Sequence, residues 1–224
     1  MGAVMATAHG PMIVMEYMEY GSLNDLLRNE TMYLTGEIIL QIARDMAQGL
    51  RYLHTAKPSI LHGDLKPANI LVDARFRAKV CDFGLSRKKK DSISGSLFWL
   101  PPEYLVGNED YTAAADMYSV GIILNEVYSR LRPFEGEQVA LKKLLADICD
   151  RRVNKRPFMS PKMPPKMVDL VKNLWNRDPT LRPASRQLDM LLVDFNISDV
   201  EPLTGNQMRE KPRTEDMLYD IFPR

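Results

Sequence analysis

The stretch Ile60–Gly84, which reads ILHGDLKPANILVDARFRAKVCDFG, constrains this chain more than any other part of it. It contains two short apolar runs on either side of the polar turn Asp73–Arg75, a pattern that predicts a pair of short strands. Asp64 and Asn69 precede the strands, and Asp82 follows them. Carboxylate and amide oxygens suit Mg²⁺ and leave room for phosphate, and a carboxylate beside a hydroxyl can accept its proton. We therefore expect these three side chains to share one metal and phosphate site.

Two motifs occur in this stretch in a fixed order, namely His62-Gly63-Asp64-Leu65-Lys66-Pro67-Ala68-Asn69 and then Asp82-Phe83-Gly84. Taken singly, Asp64 is as typical of a turn, and Asn69 of a helix cap, as either is of a catalytic site. Together, the motifs resemble the catalytic loop and the metal-binding loop of eukaryotic protein kinases. The resemblance implies that Asp64 orients a substrate hydroxyl and takes its proton, and that Lys66 steadies the γ-phosphate of ATP. It further implies that Asn69 and Asp82 hold Mg²⁺.

The resemblance extends from Gly2 to Ile197 and is strongest to the tyrosine-kinase-like serine/threonine kinases, for which Lys66 is typical. The segment Glu16-Tyr17-Met18, followed by Gly21-Ser22, resembles the kinase hinge. It implies that backbone groups near Glu16 and Met18 bind adenine, that Met15 stands behind the adenine as the gatekeeper, and that Leu71 forms the floor beneath it. Judged without the later motifs, the segment is more typical of an edge hairpin that binds no ligand.

The resemblance implies an α+β, protein kinase-like fold, with a mainly helical C-lobe and a remnant of the N-lobe sheet. The expected division is 1–20 for the remnant strands and hinge, 21–197 for the C-lobe and 198–224 for a C-terminal tail or linker. A hairpin of two strands is expected before the hinge. Helical periodicity and capping residues predict helices over Leu23–Asn29, Thr35–His54, Ala113–Arg130, Gln138–Asp150, Pro165–Arg177 and Ala184–Phe195, with Ser22 and Thr112 as caps. The buried face of the second helix is expected to carry Ile38, Ile42, Met46, Leu50 and Leu53.

Two structural contacts follow from the resemblance. Asp116 stands in a strongly apolar helix, and a buried carboxylate there needs donors, for which the backbone N–H groups of the loop at His62 are the candidates. Arg182 lies in a segment whose arginine, in kinases, pairs with the Glu of the Pro101-Pro102-Glu103 motif. We therefore predict an Arg182–Glu103 ion pair, in which the arginine fork holds both carboxylate oxygens.

The chain departs from the family pattern at Gly63, where many kinases have an arginine that grips a phosphate on the activation loop. The corresponding loop here carries Ser92, Ser94 and Ser96 beside the basic run Lys88–Lys90. Such a run is typical of a solvated loop, although it could also pair with a phosphoserine. Because the arginine is missing, we expect activity to depend only weakly on phosphorylation of these serines.

The second departure lies upstream of the hinge, where no Gly-rich phosphate loop, strand lysine or helix glutamate occurs. The residues before Gly21 match only the last two strands of a kinase small lobe, so the sequence reads as a kinase cut within its N-lobe. The missing lysine would orient the α- and β-phosphates. We therefore expect the chain alone to bind nucleotide poorly and to transfer little or no phosphate. We also expect an exposed apolar surface near the hinge.

Composition sets the remaining bounds on function. The chain has 224 residues and a formal net charge of +1, so no overall field indicates nucleic acid or a membrane surface as a partner. Its two cysteines, Cys81 and Cys149, are far apart and do not form a metal-ligand pattern, which favours a reducing, cytoplasmic setting. We find no signal peptide and no apolar run of membrane-spanning length. The expected partners are a protein substrate and ATP.

Two alternatives from other functional classes remain open. One is a non-catalytic, pseudokinase-like regulatory module, which the departure upstream of the hinge favours. The apolar tail of the chain, Met217–Pro223, resembles the linker that joins kinase-like domains to nucleotide cyclase domains in some fusion proteins. The same residues are equally typical of a disordered chain end. The other is a peptide-binding scaffold, which needs only the helical lobe. Asp64, Lys66, Asn69 and Asp82 favour retained chemistry over the regulatory module, while the scaffold alternative stays open.

Overall fold

The computed structural model of the chain describes residues 2–4, 12–32, 34–82, 96–107 and 110–197. Two antiparallel strands, β1 (Gly2–Val4) and β2 (Met12–Val14), pair in the register that sets Ala3 opposite Ile13. A second antiparallel pair, β3 (Ile70–Val72) and β4 (Ala78–Val80), sets Leu71 opposite Lys79. The helices are α1 (Leu23–Arg28), α2 (Gly36–Thr55), α3 (Pro102–Leu105), α4 (Ala113–Ser129), α5 (Leu141–Cys149), α6 (Pro165–Leu174) and α7 (Ser185–Val193). The mainly helical architecture and both predicted strand pairs are confirmed.

Helix α2 forms one side of the core and begins at Gly36, with the predicted first residue, Thr35, as its cap. The Thr35 hydroxyl accepts the Ile38 N–H at 3.3 Å, which satisfies one of the free first-turn donors. The predicted apolar face is buried at Ile42, Met46, Leu50 and Leu53. Ile38, one turn into the helix, is only partly buried and packs against the edge of the core. Its prediction as a core residue was wrong, because the adjacent Ile39 and Leu40, each 1% exposed, occupy the buried face at this end of α2.

Helix α4 is buried along nearly its whole length and forms the centre of the fold. It packs against α6 so closely that a Cβ added at Gly121 would lie 2.9 Å from the Leu174 Cβ and 3.1 Å from the Trp175 nitrogen. Thr112 occupies the position before the helix, but its hydroxyl makes no capping hydrogen bond. Arg130, which we expected inside the helix, ends it instead in the left-handed region, with φ 57°.

The last three predicted helices exist but are shorter than the sequence indicated. Helix α5 begins three residues late, since Ala140 is extended, with φ −60° and ψ 141°. Helix α6 ends at Leu174, and Arg177 beyond it donates to the carbonyls of Asp150 and Cys149 at the end of α5. Arg177 therefore caps another helix instead of extending its own, an arrangement that local periodicity does not predict.

Apolar side chains are exposed around the segment that links β2 to α1. Val14 is 56% exposed, Met15 61% and Tyr17 82%. The expected apolar surface near the hinge is therefore confirmed. Across the described ranges, no helix has the length and apolar character needed to cross a membrane.

Candidate active site

The loop His62–Asn69 ends in one turn of 3-10 helix that places Asn69 beside Asp64. Pro67 suits the first position of that turn, because its ring fixes φ and because a first-turn N–H has no helical partner. The Asn69 Nδ2 donates to the Asp64 carbonyl oxygen at 2.8 Å and to Asp64 Oδ2 at 3.2 Å. One side chain therefore joins two predicted site residues and fixes the backbone between them.

The Asp64 carboxylate lies within reach of Lys66 and Ser96. The Lys66 Nζ lies 2.9 Å from Asp64 Oδ2, and it donates to the Ser96 hydroxyl oxygen at 2.8 Å. Partial burial acts to raise the pKa of Asp64, but hydrogen bonds from Ser96, Lys66 and Asn69, together with the lysine charge, outweigh it. The pKa of Asp64 consequently lies below its ordinary value. The carboxylate is ionised at neutral pH and can accept a hydrogen bond from a hydroxyl group.

His62 and Cys81 connect this loop to the strand pair and to Asp82. The Asp64 N–H donates to His62 Nδ1 at 3.2 Å, and His62 Nε2 lies 2.9 Å from the Cys81 carbonyl oxygen. A carbonyl only accepts, so the imidazole carries its proton on Nε2 and leaves Nδ1 as an acceptor. The Cys81 N–H donates to the Asn69 carbonyl at 3.0 Å. Asp82 directly follows Cys81, whose N–H and carbonyl both contact the loop. Asp82 therefore lies at the edge of the loop.

Asp82 itself is exposed and adopts φ 62°, a left-handed conformation that is uncommon for residues other than glycine. Such strain in a polar residue beside a site is consistent with a functional constraint. Phe83 and Gly84, which complete its motif, lie outside the described residues, as do the run Lys88–Lys90 and two of the three serines. The structure therefore locates the carboxylate but not the rest of its motif.

The donor set suits a hard cation held partly by phosphate. In the described part of the chain, no three His, Cys, Asp or Glu side chains come close enough to hold a metal unaided. Mg²⁺, however, commonly takes only one or two protein oxygens and completes its shell with water and phosphate oxygens. Asn69 uses its Nδ2 for Asp64, and among the described residues none donates to its Oδ1. That amide oxygen and the exposed Asp82 carboxylate fit such a cation.

Asp116 of α4 anchors the loop His62–Asn69 through hydrogen bonds, as expected. Its carboxylate, which is fully buried, accepts the backbone N–H of His62 at 2.9 Å and that of Gly63 at 3.1 Å. The prediction did not include two further partners, His54 Nε2 at 2.9 Å and the Tyr111 hydroxyl at 2.8 Å. Burial acts to raise the pKa of Asp116, but the four hydrogen bonds outweigh it and lower the pKa below its ordinary value.

The hinge segment packs against the strand pair next to this loop. Ser22 forms an isolated antiparallel bridge with Leu71, and the N–H of Val72 donates to the Gly21 carbonyl at 2.9 Å. The Glu16 side chain pairs with Lys79 of β4, with a shortest distance of 2.6 Å. These contacts connect Leu71, the expected floor of an adenine site, to the residues that directly follow the expected hinge. Met18 is buried, and its carbonyl accepts the Gly21 N–H at 3.0 Å.

The predicted Arg182–Glu103 ion pair is confirmed and is bidentate. Arg182 Nη1 lies 2.6 Å from Glu103 Oε1, and Nη2 lies 2.9 Å from Oε2. The arginine, whose side chain is fully buried, also donates to the carbonyls of Asn176 and Ala114 at 2.7 and 2.9 Å. The pair holds α3, which follows Ser96 by a few residues, against the base of α4.

A second buried carboxylate lies near the end of α4. Glu126, which is 1% exposed, pairs with Arg28 of α1 and accepts the Trp99 indole N–H at 3.2 Å. Burial raises the pKa of Glu126 to about 7, although the Arg28 charge and the Trp99 hydrogen bond oppose the shift. Sequence reasoning did not predict this contact, because its three members are distant in the chain.

Sequence reasoning also missed the position of Ser96. We grouped it with Ser92 and Ser94 as a residue of the activation loop, but its hydroxyl contacts Lys66 and contributes a hydrogen bond to Asp64. A signal was available, since Ser96 directly precedes the apolar run that leads to Pro101. Periodicity does not show which serine of a polar loop turns inward.

Comparison with known proteins gives one family match and several relatives. A family model described as Protein kinase domain matches residues 2–190. The chain is 39% identical over 178 residues to the probable serine/threonine-protein kinase drkD of Dictyostelium discoideum, covering 78% of this chain and 13% of that protein. It is 37% identical over 198 residues to the probable serine/threonine-protein kinase drkB of the same organism, covering 87% and 28%.

A third relative matches more of the chain but is named differently. Over 228 residues, the chain is 35% identical to Cyclic GMP-binding protein C of Dictyostelium discoideum, covering 94% of this chain and 8% of that protein. The chain therefore spans between 8% and 28% of the length of these three relatives.

Proposed function

This chain belongs to the protein kinase domain family, and on that premise we propose that it supplies the catalytic lobe of a serine/threonine protein kinase. The reaction transfers the γ-phosphate of ATP, with Mg²⁺, to serine or threonine hydroxyls of a protein substrate. The observation that carries the proposal is the contact of the Lys66 ammonium with both Asp64 and Ser96, at 2.9 and 2.8 Å. A fixed cation and a fixed carboxylate facing one space are what phosphoryl transfer to a hydroxyl requires.

In this proposal Asp64 chiefly orients the substrate hydroxyl. Its lowered pKa makes it a weak base, so it holds the hydroxyl by accepting a hydrogen bond and takes the proton late, once the oxygen has begun to bond to phosphorus. Lys66 lies beside the same space and offsets negative charge on the transferred phosphoryl group. Positioning and charge neutralisation then supply most of the rate.

The Asn69 amide oxygen and the Asp82 carboxylate are the groups that we propose to hold Mg²⁺. When bound, the cation would neutralise phosphate charge and orient the phosphate oxygens. The backbone near Glu16 and Met18 would hold adenine, with Leu71 beneath it. The bridge between Ser22 and Leu71 supports this assignment, because Ser22 closely follows Met18 in the chain and the expected floor therefore lies near the hinge segment.

The division into a hinge segment at 1–20, a catalytic lobe at 21–197 and a tail at 198–224 is part of the same proposal. We further propose that Gly63, in place of an arginine, leaves activity only weakly dependent on loop phosphorylation. The alternative is a regulatory module without catalysis, in some proteins joined to a nucleotide cyclase. The exposed Met15 and Tyr17 favour a covering partner, but the intact contacts of Asp64, Lys66 and Asn69 favour the enzyme.

A chimera tests the activity. The small lobe of the Dictyostelium relative that is 39% identical is joined to residues 12–224. Its purpose is to supply the Gly-rich loop and the strand lysine. We expect this chimera to phosphorylate serine and threonine peptides in the presence of Mg²⁺ and ATP. Asp64→Asn should lower the rate by about 10³-fold or more, because it removes the group that orients the nucleophile. The 224-residue chain alone should incorporate no more phosphate than the Asp64→Asn variant.

Asp73→Asn is the matched control. Asp73 accepts N–H groups within the β3–β4 turn and does not contact the loop at Asp64, so this variant should keep the rate of the parent chimera. A folded chimera whose rate is unchanged by Asp64→Asn would refute the proposed role. Robust phosphate incorporation by the 224-residue chain alone, lost in Asp64→Asn, would refute the expected requirement for the small-lobe motifs.

A further inference from the structure

Helix α7 is apolar on its outward face as well as on the face that packs against α2. Its inward side chains are buried in the core, namely Leu188, Leu192 and Phe195. On the outward face, Met190 is 65% exposed and Val193 69%, and Ile197 just beyond the helix is exposed as well. A helix at the surface of a lobe normally has one apolar stripe, and a helix that is apolar all round is normally covered. The outward face of α7 is therefore a candidate interaction surface.

The same face carries one charged residue on each side of its apolar centre. Residues three or four apart lie on one face of a helix, so Arg186, Met190 and Val193 stand in line. Asp194 follows the last helical residue but keeps helical backbone angles, φ −75° and ψ −2°, and so lies on this face one turn beyond Met190. Arg186 and Asp194 are each four residues from Met190. They therefore flank it at equal distances, about 6 Å along the helix axis.

These two charged side chains have no partner within the described part of the chain. Both residues are exposed, and neither the Arg186 guanidinium nor the Asp194 carboxylate forms an ion pair or a hydrogen bond with the described residues. The neighbouring charged groups have contacts of their own. Asp189, on the flank of α7, pairs with Arg51 of α2 at 2.5 Å, and Lys166 of α6 donates to the main-chain carbonyl of Asp194. The charges of the outward face are therefore available to another molecule.

The stability of the helix does not explain the signs of these charges. The N-terminal end of a helix favours negative charge, and the C-terminal end favours positive charge. Arg186 lies in the first turn of α7, and Asp194 directly follows its last residue. Each charge therefore stands at the end of the helix that it destabilises. This placement indicates that the two side chains act in an interaction outside their own helix.

A second copy of this chain matches the face in charge and in spacing. When two α7 helices lie antiparallel around a two-fold axis at Met190, Arg186 of each copy stands level with Asp194 of the other, because both residues are equally far from the axis. A parallel pair would instead set like charges side by side. A two-fold axis forms every contact twice, so the antiparallel pair has two ion pairs around one apolar centre.

Other occupants fit this face less well. An acidic peptide or an anionic lipid surface would attract Arg186 but repel Asp194, and a basic partner would do the reverse. The apolar run Met217–Phe222, which lies outside the described residues, has Asp220 as its only charged residue. It therefore offers a partner to Arg186 alone. A second copy supplies a partner to both charges and an apolar surface to Met190.

We propose that this chain forms a symmetric dimer through the outward faces of two antiparallel α7 helices. The apolar centre at Met190 and Val193 supplies most of the affinity, and the pairs between Arg186 and Asp194 set the orientation. One short helix gives a small interface, so the dimer should be weak, with Kd on the order of 100 μM. No residue of this face has a proposed role in phosphate transfer. The dimer can therefore be tested on the 224-residue chain whatever its catalytic competence.

Sedimentation equilibrium of the chain measures the association. Over a range of roughly 20 μM to 1 mM, the average mass should rise from that of a monomer toward that of a dimer. Met190→Ser and Met15→Ser are a matched pair, because both methionines are exposed, at 65% and 61%, but only Met190 lies on α7. Met190→Ser should weaken the dimer about tenfold or more, because both copies lose apolar contact. Met15→Ser should leave the Kd unchanged.

Charge reversal tests the antiparallel arrangement. Arg186→Glu alone sets two carboxylates against each other at both ends of the interface, and Asp194→Lys alone sets two cations there. Each variant should raise the Kd about tenfold or more. An equimolar mixture of the two variants should recover the wild-type affinity, because each copy then meets an opposite charge at both ends of the other. Both substitutions suit the helix dipole, so α7 should stay folded, which circular dichroism checks.

Each outcome supports or overturns the proposal. A wild-type dimer that is weakened by either reversal and recovered in the mixture supports it. A wild-type chain that stays monomeric over the whole range overturns it, as does a dimer that tolerates both reversals or fails to recover in the mixture. A dimer lost in Met15→Ser but kept in Met190→Ser assigns the contact to the hinge segment and also overturns it. If one reversal variant does not fold, the comparison of Met190→Ser with Met15→Ser still decides.

Discussion

Replacing Asp116 by asparagine tests how the loop His62–Asn69 is anchored. Each carboxylate oxygen accepts two hydrogen bonds, Oδ1 from Gly63 and Tyr111 and Oδ2 from His62 and His54. An asparagine keeps one acceptor oxygen and turns an NH₂ group toward the other pair of donors. At least one backbone N–H of the loop is then left buried and unpaired.

The expected cost follows from these contacts. An unsatisfied buried donor costs about 1–3 kcal/mol, and the remaining hydrogen bonds lose the strengthening that a charged acceptor gives, about 1 kcal/mol each. The neutral side chain recovers part of this, because the desolvation cost of a buried charge disappears. We expect a net loss of about 3 kcal/mol in the free energy of unfolding. That is a large share of the roughly 5–15 kcal/mol available to a typical domain.

The pH dependence gives an independent check. The folded-state pKa of Asp116 is lowered, so its ionised form stabilises the fold above the unfolded pKa of about 3.9. That stabilisation is lost as pH falls through the lower, folded-state value. The difference between wild type and Asp116→Asn should therefore be constant near neutral pH and shrink below about pH 4.

Urea unfolding followed by circular dichroism measures both quantities. The midpoint should fall in Asp116→Asn while the slope stays the same, since the surface exposed on unfolding does not change. Asp178→Asn is the matched control, because Asp178 is an exposed aspartate whose contacts with Thr180 an asparagine can keep. A loss in Asp116→Asn no larger than that of Asp178→Asn would show that the carboxylate does not anchor the loop.

Three further predictions concern other parts of the lobe. Gly121→Ala should destabilise the chain by about 1–3 kcal/mol in urea unfolding, because its methyl would meet α6 at 2.9 Å, and an unchanged midpoint would contradict the packing. Burial raises the folded-state pKa of Glu126 to about 7, so its stabilising protonated form is lost as pH rises through 7. Wild type should accordingly lose up to about 3 kcal/mol between pH 5 and pH 8 relative to Glu126→Gln, and parallel pH profiles would exclude the raised pKa. In the chimera, Ser96→Ala should lower the phosphorylation rate severalfold, whereas the double variant Ser92→Ala, Ser94→Ala should keep the rate. A large loss of rate in the double variant, with little loss in Ser96→Ala, would show that loop phosphorylation matters.

The sequence predicts the local parts of this molecule well. The strand pair at 70–72 and 78–80 has short apolar runs around a turn, and α2 has a capping threonine and a clear apolar stripe. Such signals lie within a few residues of one another, so they can be read without knowing the fold. The anchors at Asp116 and Arg182 were predicted only because the motif order resembles a family in which those contacts occur.

The contacts that sequence reasoning missed join residues far apart in the chain. His54 reaches Asp116 from the end of α2, and Arg28 reaches Glu126 from α1. Nothing in the spacing of these residues marks them as partners. The hydrogen bond from Asn125 of α4 to the Phe158 carbonyl is likewise invisible in the sequence. Helix ends were misjudged for the same reason, since Arg177 is recruited to cap α5.

The central claim is that Asp64, Asn69 and Asp82 share one metal–phosphate position beside the hinge at Met18. The most direct test replaces Mg²⁺ by paramagnetic Mn²⁺ and records the methionine methyl resonances in the presence of ATP. The Mn²⁺–ATP concentration is raised to roughly 10 mM, because the chain alone is expected to bind nucleotide weakly. We expect selective broadening of Met18 and no broadening of Met190 on α7. The effect should be lost in Asp82→Asn, an exposed position where the change should not disturb folding. A Met18 resonance that stays sharp, or broadening that persists in Asp82→Asn, would contradict it.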